Sequence, residues 1–131
     1  MRDDAMRYLC LAYEEESKLN DLSRSEWDAL RGETLSYLED LKNRGHIVSA
    51  EALQSARTAS TVRVRNNRVT ITDGPFAETK EQLGGFFLIN ARDLNEAIQV
   101  ASKWPSARLG SIEVRPIEEE LREESRYRVP V

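Results

Sequence analysis

The sequence contains few of the residues that build metal sites, disulfides and His-dependent catalytic sites. It has one cysteine, Cys10, and one histidine, His46, in 131 residues. An internal disulfide, a His cluster for a metal ion and most His-dependent catalytic triads are therefore excluded. There is also no Gly-rich phosphate loop with a following Lys. We predict that the protein uses no metal ion and no other cofactor.

Long apolar runs and a strong net charge are also absent. No run approaches the roughly 18 apolar residues of a membrane span, and the acidic N-terminal region is untypical of a signal peptide. We therefore predict a cytoplasmic protein with no membrane partner. The net charge is only −4, without a second basic stripe or interleaved aromatic residues, so a nucleic-acid partner is not expected.

The composition is that of one globular domain. A chain of 131 residues with 40% hydrophobic side chains is long enough to bury a core. We assign residues 1–117 to this domain and residues 118–131, which are rich in Glu and Arg, to a charged C-terminal tail.

Four segments predict the strands of a sheet. Residues 6–13 and 84–90 are nearly continuous apolar runs, which are typical of central strands buried on both faces. Residues 47–53 and 111–116 alternate instead, and Pro116 favours an edge position for the last of these.

Two helices and a hairpin are predicted between these strands. Ser23 and Glu26 form a capping box before one helix, and Asp93 and Glu96 have the same spacing before another. Residues 61–72 alternate strictly on both sides of an Asn-Asn pair, which predicts a β-hairpin with a two-residue turn.

The order of elements predicts an α+β fold: a ferredoxin-like antiparallel sheet in the order 4-1-3-2, with two helices on one face and an inserted β-hairpin. The other face of the central strands would then be an uncovered apolar patch. We therefore hypothesise a homodimer in which two sheets face each other and enclose a cavity.

Residues 72–89, which contain Asp73-Gly74-Pro75-Phe76 and Gly84-Gly85-Phe86-Phe87, resemble the DGPF-type branch of the YCII-related family. Similar segments extend the resemblance over residues 6–117. It implies a dimeric ferredoxin-like α+β barrel, and it implies little about chemistry.

Some other YCII-related proteins are thought to use a His–Asp pair, with the His on the first helix. That position corresponds here to about Thr34, so the pair is not carried over. The genes of this branch often lie beside those of extracytoplasmic-function sigma factors, which suggests a regulatory setting.

Two carboxylates are the candidates for acid–base catalysis. The alternation of residues 47–53 places Glu51 on one face with Ile47 and Leu53, pointing into the predicted cavity between subunits, where desolvation would raise its pKa. Asp73 precedes Gly74-Pro75 at the mouth of the same cavity. The structural alternatives are an ion pair of Glu51 with an Arg across the dimer and a turn-capping role for Asp73.

Other residues are candidates for binding. A cavity lined by aromatic residues would suit an apolar ligand, and we assign ligand contacts to Tyr8 and Phe86, with Glu78 and Lys80 on a polar loop above it. Core packing of the aromatic residues and a solvated loop are the alternatives. The hairpin presents a basic face to an anion or an acidic partner through Arg63, Arg65 and Arg68.

Two functions remain open at this point. One is small-molecule binding in a cavity at the dimer interface, with carboxylate-based acid–base catalysis. The other is a non-catalytic regulatory or interaction module associated with sigma-factor signalling. The sequence does not decide whether the protein is an enzyme.

Overall fold

The computed structural model describes residues 6–119. Their elements are β1 (Met6–Glu14), α1 (Glu16–Asn20), α2 (Arg24–Asn43), β2 (Ile47–Ala52), β3 (Ser60–Arg65), β4 (Arg68–Asp73), β5 (Gln82–Ala91), α3 (Leu94–Ser102) and β6 (Gly110–Pro116), with short 3-10 helices at Ala56–Thr58 and Pro105–Arg108. The short helix α1 lies between the first predicted strand and the first predicted helix, where no element was predicted. No helix within residues 6–119 has the length and apolar character needed to cross a membrane.

The main sheet has the predicted strand order. Its strands run β2-β5-β1-β6, and each neighbouring pair is antiparallel. With the inserted hairpin left aside, this is the order 4-1-3-2 of a ferredoxin-like sheet. The α+β fold class is therefore confirmed.

The inserted hairpin is confirmed with its predicted register. β3 and β4 form a separate two-stranded sheet in which Val64 pairs with Val69 and Arg65 pairs with Arg68. Asn66 and Asn67 have φ values of 52° and 63°, as a two-residue hairpin turn of this kind requires. The apolar face of the hairpin remains exposed to solvent at all four of its aliphatic residues, Val62, Val64, Val69 and Ile71.

The core lies on one face of the main sheet, which we call the helix face. Side chains of β1 and β5 pack there against α2 and α3 and around Trp104. The fully buried residues include Cys10, Leu41, Phe87 and Ile89. The Trp104 ring stacks on Phe87 with 3.9 Å between ring centroids. The opposite face, which we call the open face, carries four partly exposed large apolar residues of the two central strands, Leu9, Leu11, Phe86 and Leu88.

The alternation predicted for β2 is wrong at its first residue. A bulge between Ile47 and Ser49 shifts the register, so Ile47 pairs with Ile89 of the helix face and packs against the core. Beyond the bulge, Glu51 pairs with Phe86 and lies on the open face, as expected. The extra residue of a bulge changes which face the preceding side chains occupy, and a simple alternation cannot show this.

The predicted boundary of the C-terminal tail is not tested by the structure. The backbone N–H of Ile117 donates a hydrogen bond to the carbonyl of Arg7, and the Arg7 side chain forms an ion pair with Glu119. The remainder of the tail, residues 120–131, lies outside the described residues.

Candidate functional site

A cavity of about 350 Å³ lies between α2 and the helix face of the sheet. Its floor consists of small residues of three strands, and its walls are the apolar side chains of α1 and α2 together with Trp104. The floor residues are Ala12, Ala50, Ala52, Gly84 and Gly85; the apolar wall residues are Leu19, Trp27, Leu30, Leu35, Leu38 and Trp104.

The cavity exists because α2 contacts the sheet unevenly. Near the end of the helix, Leu41 is fully buried in the core. Trp27 and Leu35, which lie nearer the start, are 43% and 54% exposed. The small floor residues do not fill the space beneath this part of α2, and a gap remains that is large enough for a small ligand.

One carboxyl group borders this apolar space. Glu14 is the last residue of β1, and its side chain lies over Gly84, where a Cβ atom would overlap the carboxyl group. Gly84 is the extra residue of a bulge, because Ala12 pairs with Gly85 whereas Tyr13 pairs with Leu83. The missing side chain at position 84 thus provides the room that the Glu14 carboxyl occupies.

Burial raises the pKa of the Glu14 carboxyl above its ordinary value, and the negative charge of Glu16 raises it further. No hydrogen bond or ion pair joins the Glu14 side chain to another residue among those that the structure describes. Its carboxyl is therefore free to contact a molecule in the cavity.

The other acidic residues around Glu14 already have partners. Glu16 accepts hydrogen bonds from the backbone N–H of Ala56, at 2.8 Å, and from the hydroxyl of Ser55, at 3.1 Å. Glu15 forms an ion pair with Lys18 at 3.5 Å. Glu14 thus differs from both of its acidic neighbours in facing the cavity without a partner.

The sequence prediction missed Glu14, although a signal for it was present. Every second residue of β1 points to the helix face, and Tyr8, Cys10 and Ala12 are buried there. Glu14 is the next residue in this series. The predicted strand, residues 6–13, ends one residue before Glu14, because the bulge at Gly84 depends on the pairing of two distant strands.

The structure does not bring the two predicted catalytic carboxylates together. Glu51 is among the residues that line this cavity, and it is exposed and pairs with Phe86 on the open face. Asp73 is exposed at the end of β4, opposite Ser60 in the hairpin. Within residues 6–119 neither side chain has a hydrogen bond or ion pair.

The predicted ligand contacts are divided between different surfaces. Tyr8 is 3% exposed in the core on the helix face and does not line the cavity, whereas Phe86 is among the lining residues and belongs to the open face. Glu78 and Lys80 are exposed on the loop between β4 and β5, where the Thr79 hydroxyl donates a hydrogen bond to the carbonyl of Glu81.

The three hairpin arginines lie at the surface without an acidic partner in the described part of the chain. Arg63 donates a weak hydrogen bond of 3.4 Å to the carbonyl of Phe76, and Arg65 donates one to the carbonyl of Val64. Arg65 and Arg68 are directly opposed in register, which is an unfavourable like-charge pair in the absence of an anion.

A second cavity, of about 530 Å³, lies at the base of the hairpin. Pro75, Phe76 and Ala77 line it together with Tyr13 and Leu83, and its lining contains no carboxylate and no basic side chain. It offers packing surface, and Tyr13 is the titratable side chain of its lining.

Neither Cys10 nor His46 contributes to a reactive site. Burial raises the pKa of the Cys10 thiol to about 12, which leaves it unreactive at neutral pH. His46 is hydrogen bonded through Nδ1 to the carbonyl oxygen of Asn90, at 2.8 Å. Across residues 6–119, no three His, Cys, Asp or Glu side chains are grouped so that they would hold a metal ion.

Comparison with known proteins places this arrangement in a family. The profile of the YCII-related domain matches residues 6–121. The chain belongs to the YCII-related family. A protein of Rhizobium meliloti (strain 1021), described as uncharacterised, is 34% identical to it over 114 residues, which cover 86% of this chain and 92% of that protein.

One residue of the cavity wall, Thr34, lies at a position of interest in the family. Thr34, at about the position where the resemblance places the His of other YCII-related proteins, lines that cavity. Its hydroxyl donates a hydrogen bond of 2.9 Å to the carbonyl of Leu30 within α2. In this YCII-related chain the unpaired carboxyl group of the cavity is therefore supplied by β1.

The raised pKa of Glu14 predicts a pH-dependent effect of Glu14→Gln on stability. Because the folded state holds the Glu14 proton more tightly than the unfolded state does, ionisation at rising pH destabilises the wild type. Glutamine stays neutral, so the variant should have a higher Tm than the wild type at pH 7. This gain should vanish at about pH 3, where the Glu14 carboxyl is protonated in both the folded and the unfolded protein.

Thermal unfolding followed by circular dichroism at both pH values tests this expectation. Glu15→Gln is the matched control, since it removes a carboxylate that is paired with Lys18 and does not line the cavity. A Glu14→Gln variant that is less stable than the wild type at pH 7 would contradict the assignment.

Proposed function

We propose that this YCII-related protein binds a small molecule in the cavity between α2 and the sheet, with Glu14 as the polar group that contacts it. The observation that carries the proposal is the combination of an apolar lining with one unpaired, partly buried carboxyl group. Ligand sites in proteins commonly combine an apolar pocket with a few polar groups that fix the orientation of the ligand.

Glu14 also suits proton transfer. A carboxyl whose pKa is raised above its ordinary value can donate a proton in one step and accept it in another more readily than a solvated surface carboxylate. We therefore assign to Glu14 the acid–base role that the sequence suggested for Glu51 and Asp73. Glu51 lies on the open face and would contribute only at the dimer interface proposed below.

Filling the cavity should abolish ligand binding without unfolding the protein. Ala50 lines the floor and packs against the core, so Ala50→Leu places additional atoms in the empty space beneath α2. With indole as an apolar probe, we expect amide shifts around the cavity in the wild type and none in Ala50→Leu, whose Tm should be equal or higher.

A ¹H–¹⁵N NMR titration measures both effects. Val48→Leu serves as the matched control, because it enlarges an exposed side chain of the same strand that does not line the cavity. Equal indole binding by the wild type and Ala50→Leu would place the probe elsewhere and reject the site.

We further propose that two copies of the chain associate through their open faces. The feature that favours this is the row of partly exposed apolar side chains on the two central strands, Leu9, Leu11, Phe86 and Leu88, together with the exposed apolar face of the hairpin. A surface of this kind in a soluble protein commonly marks an interface. Glu51 and Phe86 would lie at this interface, as the dimeric barrel implied by the DGPF-type resemblance would require.

Light scattering after size exclusion tests the dimer. We expect the mass of two chains for the wild type and of one chain for Leu11→Asp, because a carboxylate on the open face opposes burial of that face. Ser36→Asp, on the exposed side of α2, should remain a dimer. A wild type that is monomeric at micromolar concentration would reject this proposal.

The alternative function is a non-catalytic regulatory module that acts alongside sigma factors. This alternative predicts a different effect of changing Glu14, because an interaction module does not require an unpaired carboxyl in the cavity. Under that alternative, Glu14→Gln changes stability and leaves the biological role of the protein intact.

A further inference from the structure

We infer that the ligand of this cavity is an organic cation, namely a protonated amine on a compact apolar or aromatic body. The inference rests on the proposed function and adds the chemical class of the ligand. It depends on three features of the cavity: the charge at one end, the nature of the walls and the size of the space.

The end of the cavity at Glu14 is negatively charged. The carboxylate of Glu16 lies close enough to act on Glu14, and the loop at Ser55 and Ala56 holds it in place. No basic side chain forms an ion pair with Glu14 in the described part of the chain, and Lys18 is paired with Glu15. A protonated amine would supply the missing positive charge and donate hydrogen bonds to a carboxylate that has none.

The walls suit the body of such a molecule. Leu30, Leu35 and Leu38 present apolar surface along α2, and the indole rings of Trp27 and Trp104 also line the space. Aromatic and aliphatic side chains of this kind pack well against an apolar or aromatic body. The volume of about 350 Å³ is near the lower end of the range for ligand pockets, which fits one ring with a short aminoalkyl chain.

Arg31 is the basic side chain of the lining, and it is the group that an anionic ligand would use. It is exposed on α2 and does not contribute to the pKa of Glu14. An anionic ligand would have to use this exposed guanidinium while placing its own charge in a space that Glu14 and Glu16 make negative. The arrangement therefore favours a cation.

Three probes of similar size separate the classes: 2-phenylethylamine, which is cationic at pH 7, 2-phenylethanol, which is neutral, and phenylacetate, which is anionic. Calorimetric titration of the wild type should show about tenfold tighter binding of the amine than of the alcohol, as expected for a charge-assisted hydrogen bond, and the weakest binding for phenylacetate. In Glu14→Gln the preference for the amine should disappear, while Glu15→Gln should keep it.

The outcomes distinguish the ligand class from the site itself. Equal binding of the amine and the alcohol, or tighter binding of phenylacetate, by a cavity that Ala50→Leu closes would overturn the cationic class and leave the binding site in place. A preference for the amine that survives in Glu14→Gln would also overturn it. Binding of none of the three probes would contradict the proposed function together with this inference.

Discussion

The separation of large and small side chains along the helix face of the sheet is the constraint on which the rest of this structure depends. Large residues, including Phe87 and Ile89, fill the space under α3 and the last turns of α2, where Leu41 is fully buried. Under the first part of α2 the floor consists of Ala and Gly. This space is open to solvent along α2, where Trp27 and Leu35 are exposed, so a small molecule can enter it.

The position of Glu14 follows from the same constraint. A carboxyl group is costly to remove from water unless it is paired, and Glu14 has no partner among residues 6–119. The bulge at Gly84 gives this side chain its room beside the cavity. Residues that reduce stability in this way are common at functional sites, where a perturbed group performs chemistry or recognises a charge. The fold therefore combines an apolar space with a polar group for which it has no structural use.

Local patterns predicted much of this fold and little of the site. The strand order and the turn at Asn66-Asn67 follow from periodicity and turn chemistry, which are properties of short segments. The bulges at Gly84 and between Ile47 and Ser49 are not visible in such patterns, because they depend on how two distant strands pair. Glu51 lies on the face that the alternation predicted, whereas Glu14 was missed. Tyr8, which we expected to contact a ligand, is buried in the core, and an apolar run does not show which of its residues are buried.

The ionisation of Glu14 in the folded protein is the quantity that tests this account most directly. An NMR titration that follows the ¹³C resonance of the Glu14 side-chain carboxyl reports its pKa without any ligand. The account predicts a midpoint above the ordinary value of a glutamate side chain, because burial and the negative charge of Glu16 both disfavour the ionised form. A Glu14 midpoint in the ordinary range of a solvated glutamate would show that the carboxyl lies in water, and the cavity site described above would then be wrong.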